Sequence, residues 1–192
     1  MSLSIDPLNK GNTIPKPIDS NAYDKIINTF IDELKNSSDL SKRMDAAFEL
    51  GWLEEPKGVE ALCEALKDPD SELRCVAAES LGLILIPEAV LPLCDALTDT
   101  DNEVRCAAAN SLGEHNDIRS KQALIEALND IDVGVRYASA LALVRMDRKD
   151  KKIIQGVETV IKDPELRFNK RAVKRLKRCL NGLNEYPSNY RL

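Results

Sequence analysis

A 31-residue period constrains this chain more than any other feature. The stretch ELRCVAAESLG (Glu72 to Gly82) returns almost unchanged as EVRCAAANSLG (Glu103 to Gly113). Arg43, Arg74, Arg105 and Arg136 stand 31 residues apart. Ala47, Ala78, Ala109 and Ala140 keep the same offset, as do Leu50, Leu81, Leu112 and Leu143. Gly51, Gly82 and Gly113 follow, and Val144 breaks that column. A second set, Leu62, Leu93 and Leu124, then Leu66, Leu97 and Leu128, marks a second helix in each unit. Self-similarity at this period is the signature of a repeat architecture.

Between the two helices lies an acidic turn: DPD (Asp68 to Asp70), DTD (Asp99 to Asp101), DID (Asp130 to Asp132) and DPE (Asp163 to Glu165). Aspartate before proline suggests an N-cap followed by proline at the first helical position. Each unit then reads as helix, acidic turn, helix and a glycine-marked stop. Neither helix can bury its apolar stripe alone, so the units must stack. The expected fold is an all-α solenoid of about four to five helix pairs. Its expected parts are a tail over 1–20, a repeat solenoid over 21–165 and a basic cap over 166–192. A leading helix from Asn21 to about Asn36 presents Ile26, Ile27, Phe30, Ile31 and Leu34 on one face. The recurring arginine is expected to pair with an acidic turn residue.

Aromatics make up only 4% of the chain, which suits helices packed through small residues. No run of 18 apolar residues is present, so no membrane span is expected. The first residues, MSLSIDPLNK, show no secretory signal pattern. Five cysteines without a CxxC pair, and a single histidine, suit a reducing, cytoplasmic setting and argue against a metal site. From Leu166 to Leu192 eight Lys/Arg face one Asp/Glu, about +7, which leaves about −12 on the first 165 residues. That acidic body makes nucleic acid a poor partner.

The text LKDPDSELRCVAAESLG and LTDTDNEVRCAAANSLG resembles the HEAT-like repeat of the phycobilin lyase class, over about Ser41 to Glu165. The resemblance implies a HEAT-like superhelix with the arginine-bearing helix on the concave face. It also implies a role in phycobilisome assembly or turnover. Lyases of the E/F type bind an open-chain tetrapyrrole and a phycobiliprotein subunit, and attach, isomerise or remove the bilin at a cysteine of that subunit, often as heterodimers. No catalytic residue is then required of this chain, and whether it is an enzyme stays open. The implied ligand is a transient phycobilin, with no permanently bound cofactor. The implied partners are an acidic phycobiliprotein subunit and a second HEAT-repeat subunit. The other class of function is a non-enzymatic adaptor that binds a protein segment along the same groove. A third owner of this scaffold, deoxyhypusine hydroxylase, holds two irons with His-Glu pairs, which one histidine cannot supply.

The candidate binding strip comes from two columns of the arginine-bearing helix. One residue after the arginine stand Met44, Cys75, Cys106 and Tyr137; five after it stand Phe48, Glu79, Asn110 and Leu141. Residues four apart share one side of a helix. The strip would hold an apolar ligand, and Arg74, Arg105 and Arg136 could meet its propionates if their acidic partners left them free. Cys75 and Cys106 sit too far apart for a disulfide if neighbouring helices keep their usual spacing. Cys63 and Cys94 read as small core residues, and His115 as a surface-loop residue. Leu83, Leu85 and Ile86 bring apolar side chains to positions read as loop, as tighter packing or as a docking edge. The segment Leu166 to Leu180 reads as one basic amphipathic helix. Phe168, Ala172, Val173, Leu176 and Leu180 form its apolar side. Lys170, Arg171, Lys174, Arg175, Lys177 and Arg178 form a polar side suited to an acidic protein.

Overall fold

In the computed structural model, which describes residues 20–182, ten α-helices follow one another: α1 (Ser20–Asn36), α2 (Leu40–Trp52), α3 (Val59–Ala65), α4 (Ser71–Ile84), α5 (Val90–Ala96), α6 (Asn102–His115), α7 (Lys121–Ala127), α8 (Val133–Asp147), α9 (Lys151–Lys162) and α10 (Lys170–Leu180). No strand occurs among the described residues. The described residues form an all-α solenoid of five helix pairs, α1/α2 through α9/α10. Helices α2, α4, α6 and α8 carry the arginine column and stack on one another as one layer, which α10 continues with Val173 at the arginine position; each odd-numbered helix packs on its own partner, and α9 packs on α8 as well. The tail expected over 1–20 lies outside the described residues, apart from Ser20, which opens α1.

The period explains the packing. Leu50, Leu81, Leu112 and Leu143 are fully buried, and so are Ala47, Ala78, Ala109 and Ala140. Leu62, Leu93 and Leu124 anchor the other layer. Small side chains in the seam let the arginine-bearing helices approach closely. In α1, Ile27 and Leu34 are buried, whereas Ile26 is exposed and so falls outside the expected apolar face.

Two expectations about the ends of the helices are corrected. Gly51, Gly82 and Gly113 do not stop helices; they lie inside α2, α4 and α6. A Cβ on Gly51 would come within 2.6 Å of Ser80 Cβ, and one on Gly82 within 2.8 Å of Ser111 Cβ. The glycine column therefore marks where one unit's backbone meets the next. The helices stop instead near left-handed residues without glycine: Glu54 (φ 50°), Leu85 (φ 54°) and Asn116 (φ 51°). The second correction concerns the acidic turn. The N-caps of α4, α6 and α8 are Asp70, Asp101 and Asp132, the later aspartate of each turn, and Pro69 precedes its cap. Asp70 Oδ1 accepts from the backbone N–H of Glu72 at 2.9 Å and of Leu73 at 3.4 Å.

The earlier aspartate has a different task. Oδ1 of Asp68, Asp99 and Asp130 accepts the backbone N–H of the capping aspartate at 2.8–2.9 Å. The same carboxylates receive the arginine of the preceding unit: Arg43 on Asp68, Arg74 on Asp99 and Arg105 on Asp130. Arg136 completes the series on Asp163 (2.7 Å) and Glu165 (2.8 Å).

The basic segment set apart over 166–192 is, in its described part, the arginine-layer helix of the fifth pair. It does not start at Leu166. A 3-10 turn spans Leu166–Phe168, Asn169 accepts from the backbone N–H of Ala172, and α10 begins at Lys170. Ala172 and Leu176 are buried beneath it, and Arg175 is half-buried where it was expected on the polar side.

Candidate functional site

The outward side of the arginine layer is built from three columns spaced by four residues. On α2 they are Met44, Phe48 and Trp52; on α4 Cys75, Glu79 and Leu83; on α6 Cys106, Asn110 and Glu114; on α8 Tyr137, Leu141 and Arg145. The first two columns are the expected strip. The third lies outside the expected strip: Trp52 was missed, although a further step of four from Phe48 reaches it, and Leu83 was expected only as loop packing or a docking edge. Leu83 lies in the last turn of α4 and not in a loop.

The first two units make this surface apolar. Phe48 is 55% exposed, Trp52 37% and Leu83 46%, and Met44 is half-buried beside them. Leu85, at the end of α4, is also exposed, while Ile86 is half-buried. The third unit is polar, with Asn110 and Glu114 exposed. The fourth departs from expectation at Leu141, which is only 7% exposed. Helix α8 is packed by α6, α7, α9 and α10, and every residue from Ala138 to Val144 is buried. Leu141 therefore belongs to the core. Tyr137 stays half-buried.

The arginines face into the stack. Arg74 holds Asp99 through Nε and Nη2, both at 2.7 Å, and its Nη1 donates to the carbonyls of Asp68 (2.9 Å) and Pro69 (3.1 Å). Arg105 repeats the pattern on Asp130, Asp99 and Thr100. Arg136 donates to the carbonyls of Asp130 and Ile131, each at 2.8 Å. Each guanidinium thus ties its own turn to the next. The condition for a propionate role, an arginine left free by its acidic partner, is not met.

The thiols of the strip are held protonated. Burial, with the charges of Glu79, Glu103 and Asp101, pushes Cys75 up to about 11. Burial and the charges of Glu103 and Asp132 also raise Cys106. Cys75 Sγ lies 3.8 Å from the Glu103 carbonyl, and Asn110 Nδ2 donates to Cys106 Sγ at 3.8 Å. Among the described residues no histidine stands beside them. His115 is the last residue of α6, half-buried, with Nε2 2.9 Å from the Leu81 carbonyl. The carbonyl can only accept, so Nε2 carries the proton and ties α6 to α4. This corrects the surface-loop reading. Cys63 and Cys94 are half-buried at the edge of the core and not within it. All five cysteines are free thiols. Among the described residues no group of three or more His, Cys, Asp or Glu is placed to hold a metal ion. No described helix is long and apolar enough to cross a membrane.

The predicted basic residues are brought together on α10. Lys170, Arg171, Lys174, Lys177 and Arg178 are exposed, with Arg175 half-buried. They lie at the end of the described stack, four units from the aromatic ridge of α2, although the α8 end of the predicted strip is their direct neighbour.

The family model of HEAT repeats matches residues 27–99, 59–144 and 90–177. No curated protein matches the chain. Among solved structures, the complex of CpcE and CpcF of phycocyanin lyase from Nostoc sp. PCC7120 matches with a TM-score of 0.67 and 28% identity. That match covers 97% of this chain and 71% of the other. Human deoxyhypusine hydroxylase matches at 0.59 and 25% identity, over 67% of this chain and 46% of the enzyme. An engineered protein matches at 0.61 and 24% identity, over 81% of this chain and 77% of its own. The last of these speaks for the fold alone.

Proposed function

The chain belongs to the HEAT-repeat family, and on that premise we propose that it acts in phycobilisome biogenesis or turnover. In this reading it is a bilin lyase-like or chaperone-like protein of the cytoplasm that grips a transient phycobilin and a phycobiliprotein subunit. The observation that carries the reading is the likeness to the phycocyanin lyase complex along 97% of the chain.

The exposed ridge of Phe48, Trp52 and Leu83, with half-buried Met44 beside it, supports it. An open-chain tetrapyrrole offers an extended π-face, and aromatic side chains stack on such faces with a gain of about 1 kcal/mol beyond area burial. In this reading the thiol that accepts the bilin belongs to the partner subunit, in keeping with Cys75 and Cys106, whose raised pKa values make them poor nucleophiles near neutral pH. The contribution of this chain is grip and orientation. The arginines have no part in it, since they are engaged within the stack. A protein adaptor is the second reading, favoured by the spacing of Met44, Phe48 and Trp52, which also suits the apolar side of a partner helix.

Titration of the purified chain with phycocyanobilin separates the two. The lyase-like reading expects a sharpened, red-shifted visible band that Phe48→Ala and Trp52→Ala weaken, and recovery of a phycobiliprotein subunit in pull-downs. An unchanged bilin spectrum with no phycobiliprotein recovered rejects it. The adaptor reading then stands only if the same two variants lose a protein partner.

A further inference from the structure

Among the described residues the last helix pair presents a groove at the position where a further helix would stack. Counted from its N-cap, each arginine-layer helix turns its fifth, eighth and twelfth residues towards the following unit. On α4 these are Cys75, Ala78 and Gly82. Cys75 meets the Glu103 carbonyl, the Ala78 carbonyl accepts from Ser111 Oγ at 2.8 Å, and Gly82 lies against Ser111. On α6 the twelfth residue, Gly113, lies against Ala142 in the same way. The N-cap of α10 is Asn169, so the same count gives Lys174, Lys177 and Asn181. These three line a groove of about 440 Å³, together with apolar Ile161 and Val173 and the cations Lys170 and Arg178.

The groove has the position of an internal repeat junction but not its chemistry. Where α4 offers a thiol, an alanine and a glycine, α10 offers two lysines and an asparagine. A cap that meets only water has no need of a single sign of charge. The opposite end of the stack mixes both, with Lys42, Asp45 and Glu49 on α2. On α10 the pairs Lys170/Lys174 and Lys174/Arg178, each four apart, repel each other. No acidic residue occurs from Leu166 to Gly182. Among the described residues Lys170, Lys174, Lys177 and Arg178 have no carboxylate partner, whereas the arginine column is paired throughout.

We infer that this groove seats an acidic helix of a partner protein, stacked on α10 as a sixth helix of the arginine layer. Carboxylates on that helix would lie over Lys174 and Lys177, and its small apolar residues over Ile161 and Val173. Continuity with the internal junctions sets its orientation, and charge complementarity selects it. The inference does not depend on bilin binding.

The test uses the full chain and a fluorescein-labelled helical peptide with glutamates four apart on one side and alanine and leucine on the other. Fluorescence anisotropy should show binding that weakens steeply with added salt. Lys174→Glu with Lys177→Glu should weaken it by about tenfold or more, while thermal melting shows that the variant folds. A peptide with glutamine in place of glutamate should bind far less. Equal binding by the wild type and the variant, or no binding at low salt, overturns the inference. A rise in mass with concentration in sedimentation velocity, lost in the double variant, would place a second copy of this chain in the groove and also overturn it. Tighter binding of duplex RNA than of the acidic peptide would do the same.

Discussion

Arg105 of the third unit and Asp130 of the turn that follows form a two-pronged pair: Nε to Oδ2 at 2.7 Å and Nη2 to Oδ1 at 2.8 Å, with Arg105 only 9% exposed. Nη1 of the same guanidinium holds the carbonyls of its own turn. A single side chain therefore closes one turn and joins it to the next. Breaking it leaves one largely buried charge without its partner. Asp130→Ala should destabilise the chain by about 3 kcal/mol. Arg105→Lys should recover little, because an ammonium cannot reproduce the fork. Urea unfolding followed by far-UV circular dichroism checks both variants.

The same ladder gives the stability a definite pH dependence. For Asp99 and Asp130, burial raises the pKa, but the hydrogen bonds from Arg74 and Arg105 and from the capping backbone outweigh it and hold both carboxyls below the usual range. Asp163 is lowered likewise, against burial, by backbone N–H groups and Arg136. A depressed folded pKa contributes stability that is present above the unfolded value of about 3.9 and is lost as pH falls through the folded value. The melting temperature should hold near neutral pH and fall from about pH 4 downwards. The fall should be shallower in Asp130→Asn, which has lost one of the coupled groups. A melting temperature that does not change between about pH 4 and pH 2.5 would remove the ladder from the account.

Gly82 tests the reading of the glycine column. An alanine there would gain helix propensity of about 1 kcal/mol. It would also place Cβ 2.8 Å from Ser111 Cβ and 3.0 Å from Ser111 Cα. The close approach is to the neighbouring backbone, so the clash should win, with a net loss of about 2 kcal/mol. Ser111→Gly in the same chain should restore part of it by removing the opposing side chain. If Gly82→Ala is neutral or stabilising in thermal melts, the glycine has no role in the stack.

Much of this fold was legible because a 31-residue repeat writes each structural constraint several times. One alanine is ambiguous, but Ala78 and Ala109 at the same offset, with Arg74 and Arg105 beside them, define a seam. What the sequence concealed was the division of labour inside each turn. Asp68 and Asp70 look alike as letters, and only the geometry separates the residue that takes the arginine from the one that caps α4. Glycine misled for a related reason, since Gly82 near a helix end reads as a stop when its use is close packing. The site was less legible because exposure depends on what covers a column. Phe48 and Leu141 occupy equivalent positions, but Leu141 lies in a helix enclosed by four others. Trp52 was overlooked because it lies one residue beyond the repeated text, which ends at the Gly51 column.

The paired thiols of the second and third units give the final prediction. Cys75 and Cys106 recur at one offset, which invites a chemical role, but burial and nearby carboxylates hold both as neutral thiols. Thiolate is the nucleophile, so reactivity follows the ionised fraction. Alkylation of both by iodoacetamide near neutral pH should be slower than that of free cysteine by about tenfold or more. The rate at Cys75 should keep rising with pH beyond the range in which an ordinary thiol has levelled off. Mass spectrometry of peptides carrying Cys75 and Cys106 at successive times reads both quantities. In the lyase-like reading Cys75→Ala with Cys106→Ala should leave no covalent step impaired, because the accepting thiol lies on the partner. A bilin adduct recovered on Cys75 or Cys106 themselves would contradict that assignment and move the chemistry onto this chain.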